Sequence, residues 1–115
     1  MNKIAAKAFI IKNKKVLLVK RSEIDTQSPS IWEIPGGRIN KNENVDEGLI
    51  REVYEETNLK ITPLLPFSLR HFVRTDGEKI ILINYICKYK SGKVKLSSEH
   101  TKFKWVDFLE LKKTN

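Results

Sequence analysis

A mixed α/β fold, a sheet with helices packed on it, is the architecture this chain predicts, and three observations point to it. Short apolar and β-branched runs stand both before and after one segment with strong helical periodicity. The 115 residues suit one compact domain, spanning 1–115, rather than two. Hydrophobic residues make up 40% and charged residues 31%, a globular balance that excludes wholesale disorder.

Taken in order, Ile4 to Ile11 reads as a strand and Asn13-Lys14 as a turn. Val16 to Val19 is a short continuous apolar run suited to a buried strand. Ser22 to Ser30 is polar, contains Pro29 and has no periodicity, so it is a loop. Trp32-Glu33-Ile34 predicts a brief strand stopped by Pro35-Gly36-Gly37. A helix follows from Asn44 to Leu59, and Pro63 and Pro66 limit the next extended stretch to an edge or bulged strand. Leu69 to Arg74 and Lys79 to Tyr89 flank Asp76-Gly77, a strong hairpin signal. Lys93 to Leu96 predicts one more strand, and Trp105 to Leu111 a short closing helix. No repeat, low-complexity tract or linker interrupts the pattern.

The charge is unevenly placed. Lys and Arg number 22 against 14 Asp and Glu, a formal net charge of +8, which favours anionic partners such as nucleotides or nucleic acid. Yet seven of the 14 acids (Glu33, Glu43, Asp46, Glu47, Glu52, Glu55, Glu56) fall between residues 33 and 56. An acidic island in a basic chain suits a divalent cation held beside a phosphate. The lysines at 88, 90, 93, 95, 102 and 104 read as solvated faces able to steer a polyanion. No apolar run approaches the ~20 residues of a membrane span. Met1 to Ile11 is too short a run for a secretory signal, Lys7 interrupts it, and the single Cys87 forms no internal disulfide. A cytoplasmic protein with no membrane partner is expected.

The helix carries the chemistry. Asn44 with Glu47 three residues later is a variant capping box that starts the helix at Val45. Val45, Leu49, Ile50 and Val53 share an apolar arc, and Glu52, Glu55 and Glu56 a neighbouring one. Like charges at i, i+3 and i+4 destabilise a helix, and acids near its C-terminus oppose the dipole. Hard divalent cations reverse that penalty. An isolated acidic run of this kind is as often a plain solvated face, with Arg51 and Glu55 an ordinary i,i+4 pair; the flanking residues favour the site. Gly36 and Gly37 allow close backbone approach to a ligand, and Gly48 inside the helix implies a tight packing contact.

Gly37, five residues, Glu43, seven residues, then Arg51-Glu52-Val53-Tyr54-Glu55-Glu56-Thr57-Asn58-Leu59 resembles the Nudix box, Gly-x5-Glu-x7-Arg-Glu-U-x-Glu-Glu-x-Gly-U, where U is a bulky aliphatic residue. Asn58 alone departs, standing where the family has Gly. It is a mild change, because that Gly ends the helix in the left-handed region and Asn tolerates the same conformation. The box covers 23 residues, and the resemblance extends to Trp32-Glu33-Ile34-Pro35-Gly36-Gly37, to Glu99-His100 and to Trp105-Val106.

The resemblance implies a Nudix α/β/α sandwich with a central mixed sheet, the box forming loop-helix-loop. It also implies a Mg²⁺- or Mn²⁺-dependent hydrolase of a nucleoside diphosphate linked to X. Metal ligands would be Glu52, Glu55, Glu56 and the Gly36 carbonyl. Glu52 would also be the base, with Glu99 its rival or simply a loop acid, and Arg51 would orient Glu52. Arg38 is a candidate phosphate contact and Trp32 a candidate base contact, against plain surface and core roles. Tyr85 and Cys87 are explained by packing. His71 and His100 lack metal-ligand spacing with Cys or with each other, which disfavours zinc. The expected substrate is a nucleoside triphosphate, in the manner of MutT-like members, with oxidised purine dNTPs plausible. ADP-ribose, dinucleoside polyphosphates, RNA 5′-ends and a non-catalytic regulatory domain are the alternatives. A short final helix would leave an apolar surface, so either a monomer or a homodimer is expected.

Overall fold

The computed structural model describes residues 3–24 and 30–113. Positive φ at both Asn13 (50°) and Lys14 (63°) gives the turn whose twist matches a hairpin, so β1 (Lys3–Lys12) folds back on β2 (Lys15–Arg21). In β1 the alternation buries Ala6, Ala8 and Ile10, one face of a pleated strand. Two short strands follow, β3 (Trp32–Glu33) on β2 and β4 (Gly36–Arg38) on β1. Gly36 and Gly37 are therefore not only a stop signal. They form a strand antiparallel to Ala5–Lys7, and a Cβ at Gly36 would lie 2.2 Å from the Ala6 carbonyl oxygen. With φ at +150°, that position takes glycine on two counts.

The helix α1 (Val45–Thr57) starts where expected. The Asn44 side chain accepts from the Glu47 N–H at 2.8 Å, and Glu47 Oε1 accepts from the Asn44 N–H at 3.1 Å. It ends at Asn58 in the left-handed region (φ 67°), whose N–H donates to Tyr54. Asn58 adds what glycine would not, a side-chain hydrogen bond to the Lys93 carbonyl at 3.2 Å. Leu49 and Val53 are fully buried, whereas Ile50 is 38% exposed and lies at the margin of the expected arc.

The long strand β5 (Lys60–Val73) runs through both prolines as a sheet edge, absorbing them in register shifts near Pro63 and Pro66. The Asp76-Gly77 turn returns it as β6 (Lys79–Ser91), which lies parallel to β1. Lys93 to Leu96 is not a strand. Its donors serve the helix end instead, Lys95 N–H to the Thr57 carbonyl and Ser97 N–H to that of Glu56.

Residues 100–107 form β7 (His100–Asp107) on β2, so Trp105 sits in a strand and the closing helix α2 (Phe108–Lys113) begins three residues later than expected. The alternation Lys102-Phe103-Lys104-Trp105 is period two, the strand signal in that stretch. The sheet order is β3-β2-β1-β6-β5, with β4 added on β1 and β7 on β2. Its core joins Ala6, Ala8, Ile10, Leu17 and Val19 to Leu49 and Val53 of α1. Cys87 is buried in that cluster and Tyr85 packs on it, while Lys88, Lys90, Lys93, Lys95, Lys102 and Lys104 are all exposed. Among the described residues no helix is long and apolar enough to cross a membrane.

Candidate active site

One flank of α1 holds a closed ionic cluster. Arg51 grips Glu43 with two nitrogens (2.7 and 3.1 Å), Glu55 at 2.9 Å and Glu52 at 3.1 Å, and donates to the Arg38 carbonyl at 3.0 Å. The Glu43 bond in particular pushes the Arg51 guanidinium up, and the same bond lowers the Glu43 carboxyl. Gly48 has its reason here, since a Cβ there would lie 2.6 Å from Ile39 Cδ1 and 2.8 Å from Glu43 Oε1. The expected Arg51–Glu52 hydrogen bond is present. Glu55, 51% exposed on its side chain, is turned toward Arg51.

The adjoining flank is open. Glu56 is 4% exposed and receives a long hydrogen bond, 3.5 Å, from the Gly36 N–H. Burial, and then the charges of Glu99 and Glu52, push its carboxyl up to about 8. Burial also raises Glu52, against the pull of Arg51. Glu52 lies so close to the glycine strand that a Cβ at Gly37 would come within 2.4 Å of its Oε2. Glu99 follows a loop fixed by the Ser22 N–H on its carbonyl, 3.0 Å. Ligand atoms of Glu56, Glu99 and His100 lie within 4.8 Å of one another. The carboxylates are hard oxygen donors crowded beyond what nearby cations neutralise, and a buried nitrogen, His100 Nδ1, without a hydrogen-bond partner among the described residues, lies 3.7 Å from Glu56 Oε1. Such a donor set fits a divalent cation.

Across the glycine strand lies an open cavity of about 750 Å³. Lys7, Arg21, Arg38, Arg70 and Arg74 line it with Glu33, beside Ile31, Phe72, Ile80 and Leu82. Glu33 ties this cavity to the acidic flank, pairing with Lys7, with Arg21 at 3.0 Å and with His100 at 2.9 Å. Burial would raise its carboxyl, but the His100 hydrogen bond and the Lys7 and Arg21 charges prevail and bring it to about 2.

The structure thus brings Glu52, Glu56, Glu99 and the Gly36 backbone together and places Glu55 with Arg51. Arg38 lines the cavity, its guanidinium paired with Glu78 of the β5–β6 turn. Trp32 is not among the cavity's lining residues; its ring lies under the Lys104 ammonium, 4.3 Å away. Sequence reasoning missed Lys7, Arg21, Glu33 and His100 as one network. Spacing rules for zinc could not find His100 beside Glu56, because 44 positions separate them; only the Glu99-His100 dipeptide hinted at it.

The chain matches the NUDIX domain family over residues 1–115. It is 32% identical over 107 residues to the 8-oxo-dGTP diphosphatase of Buchnera aphidicola subsp. Schizaphis graminum, covering 93% of this chain and 78% of that protein. It is 31% identical over 102 residues to the m7GpppN-mRNA hydrolase of Saccharomyces cerevisiae, covering 87% of this chain but only 10% of that protein. The chain therefore spans about a tenth of the length of this yeast relative. The crystal structure of the MutT protein from Methanosarcina mazei Go1 superposes with a TM-score of 0.84 at 33% identity, over 96% of this chain and 80% of that one. The chain belongs to the Nudix family as a MutT-like member, with that family's α/β/α architecture around the mixed sheet.

Proposed function

We propose that this chain is a metal-dependent pyrophosphohydrolase that cleaves a nucleoside triphosphate to the monophosphate and pyrophosphate. The observation that carries the reading is the pairing, across the Gly36–Gly37 strand, of a carboxylate cluster around the buried Glu56 with a cation-lined cavity. A polyphosphate needs both, a divalent cation for its bridging charge and fixed cations for the rest. Similarity to the Buchnera diphosphatase supports the triphosphate class, with oxidised purine nucleotides as the first candidates.

Glu52, Glu56 and the Gly36 carbonyl would hold Mg²⁺ or Mn²⁺, with Glu55 joining them by leaving Arg51. When bound, the cation supplies charge neutralisation at the pyrophosphate and makes water more acidic. Glu52 takes the proton of the attacking water, a role for which its desolvated, raised carboxyl suits it, and Glu99 is the rival. Arg51 is a positioning residue, fixing Glu52 through a charge-assisted hydrogen bond. Lys7, Arg21 and Arg38 face the phosphates, and the apolar wall at Ile31, Phe72 and Leu82 packs against the nucleoside. Trp32 has a structural part in this arrangement.

A second reading, cleavage at RNA 5′-ends, draws on the yeast hydrolase and on the five cations of the cavity wall. One experiment separates the two. Phosphate release is measured in Mg²⁺ and in Mn²⁺, coupled to pyrophosphatase for canonical and oxidised NTPs and 5′-triphosphate RNA, and to alkaline phosphatase for ADP-ribose and diadenosine polyphosphates, whose products are phosphate monoesters. The expected result is one preferred nucleotide whose hydrolysis EDTA abolishes. Preference for the RNA selects the second reading, and nucleotide binding without turnover in any member of the panel overturns both.

A further inference from the structure

We propose that His100 is a nitrogen ligand in the cation site, making with Glu56 and Glu99 a mixed nitrogen–oxygen set that favours borderline ions such as Co²⁺ and Zn²⁺ over what carboxylates alone would give. The inference rests on the reading of this cluster as a cation site, and not on any particular substrate.

Its first support is the imidazole's placement. His100 opens β7, where the pairing with β2 slips between Lys20 and Arg21, and such irregularities re-aim side chains. The ring is only 3% exposed, yet its Nδ1 has no hydrogen-bond partner among the described residues and lies 3.7 Å from Glu56 Oε1. A buried polar atom without a partner is costly, so this nitrogen calls for one.

The second support is the hydrogen bond at the other ring nitrogen. Nε2 lies 2.9 Å from Glu33 Oε2. Glu33 also faces Lys7 and Arg21, so it is an ionised acceptor and Nε2 must carry the proton. That bond fixes the ring so that Nδ1 is the nitrogen left facing Glu56, 3.7 Å from its Oε1. The arrangement is that of a ligating histidine held by a carboxylate behind it, with Glu33 as the orienting group.

Distances permit a shared ion. Two ligands with bonds of about 2.1 Å sit at most about 4.2 Å apart. The Nδ1 to Glu56 separation is already inside that limit. The set as a whole spans no more than 4.8 Å, and Glu99, exposed at the end of its loop, has the freedom to close the remainder. Imidazole prefers Co²⁺, Zn²⁺ and similar ions, whereas carboxylates serve Mg²⁺ and Mn²⁺. His100 therefore widens the metal range of a site otherwise built for hard ions.

The chain has two histidines, and His71 on β5 is exposed, which makes the test direct. Zn²⁺ is titrated into the full ¹⁵N-labelled chain without substrate while the side-chain nitrogens of both residues are followed by NMR. In parallel, calorimetry measures Mg²⁺, Co²⁺ and Zn²⁺ binding to the wild type, to His100→Gln and to Glu33→Gln. The expected result is a shift of Nδ1 at His100 with His71 unmoved, and a loss of about tenfold in Co²⁺ and Zn²⁺ affinity in both variants. Mg²⁺ affinity changes less than twofold. An unshifted His100 nitrogen at saturating Zn²⁺ overturns the proposal, as does an equal loss for Mg²⁺ and Zn²⁺ in His100→Gln, which marks a purely structural histidine. Because binding alone is read, an inactive nucleotide panel leaves this test standing.

Discussion

Glu55 and Glu56 are neighbours in the chain with opposite fates. Glu55 turns to Arg51, which it shares with Glu43 and Glu52, and stays half in solvent. Glu56 turns inward, is buried beside Glu52 and Glu99, and receives a long hydrogen bond from the Gly36 N–H at 3.5 Å, with His100 Nδ1 3.7 Å away. On the Arg51 flank one guanidinium satisfies three carboxylates and a carbonyl, and the arrangement is complete as it stands. On the Glu56 flank the anions raise one another, and the arrangement is complete only when a cation or a proton is added. The same residue type in the same turn of helix is thus paired on one flank and uncompensated on the other, and burial without a counter-charge makes the difference.

The largest effect is expected from Glu52→Gln, which touches both flanks. Turnover should fall by about 10²-fold or more while the circular dichroism spectrum is retained. A folded variant with near wild-type turnover removes Glu52 from the chemistry. Next comes the closed flank. Arg51→Ala leaves Glu43, Glu52, Glu55 and the Arg38 carbonyl without their shared donor, and chemical denaturation should report a lower unfolding midpoint than the wild type. Arg51→Lys should recover little of that loss, since an ammonium cannot reproduce the fork. Full recovery by lysine would reduce the cluster to simple charge balance.

A smaller effect follows from Glu33, which links the two sides of the glycine strand. Its folded carboxyl lies at about 2 against an ordinary value of 4.5, so its stabilising contribution is complete above pH 4.5 and is lost as pH falls toward 2. Glu33→Gln should flatten that part of an acid-unfolding curve. An unchanged slope would mean that the Lys7, Arg21 and His100 contacts contribute no net stability.

Much of α1 was legible because its determinants are local. The Asn44–Glu47 box, the left-handed Asn58 and the 3.6-residue spacing of Leu49 and Val53 all lie within one or two turns of what they control. The Asp76-Gly77 hairpin was legible for the same reason. What the sequence hid is long-range. Glu33 and His100 are 67 residues apart, and Arg38 and Glu78 are 40 apart, so no periodicity joins them. The segment after Gly92 misled because its lysine alternation resembles a strand, while its donors go to the carbonyls at the end of α1. Trp105 misled in the other direction, since the alternating aromatics of β7 were masked by the lysines between them.

The contrast between the two flanks is tested most directly by titrating Mn²⁺ calorimetrically into the wild type, Glu56→Gln and Glu43→Gln without nucleotide. Binding should be lost in Glu56→Gln, which removes the buried uncompensated acid, and kept in Glu43→Gln, which alters only the closed cluster. Equal affinity in Glu56→Gln and the wild type would contradict the assignment of the cation to the open flank.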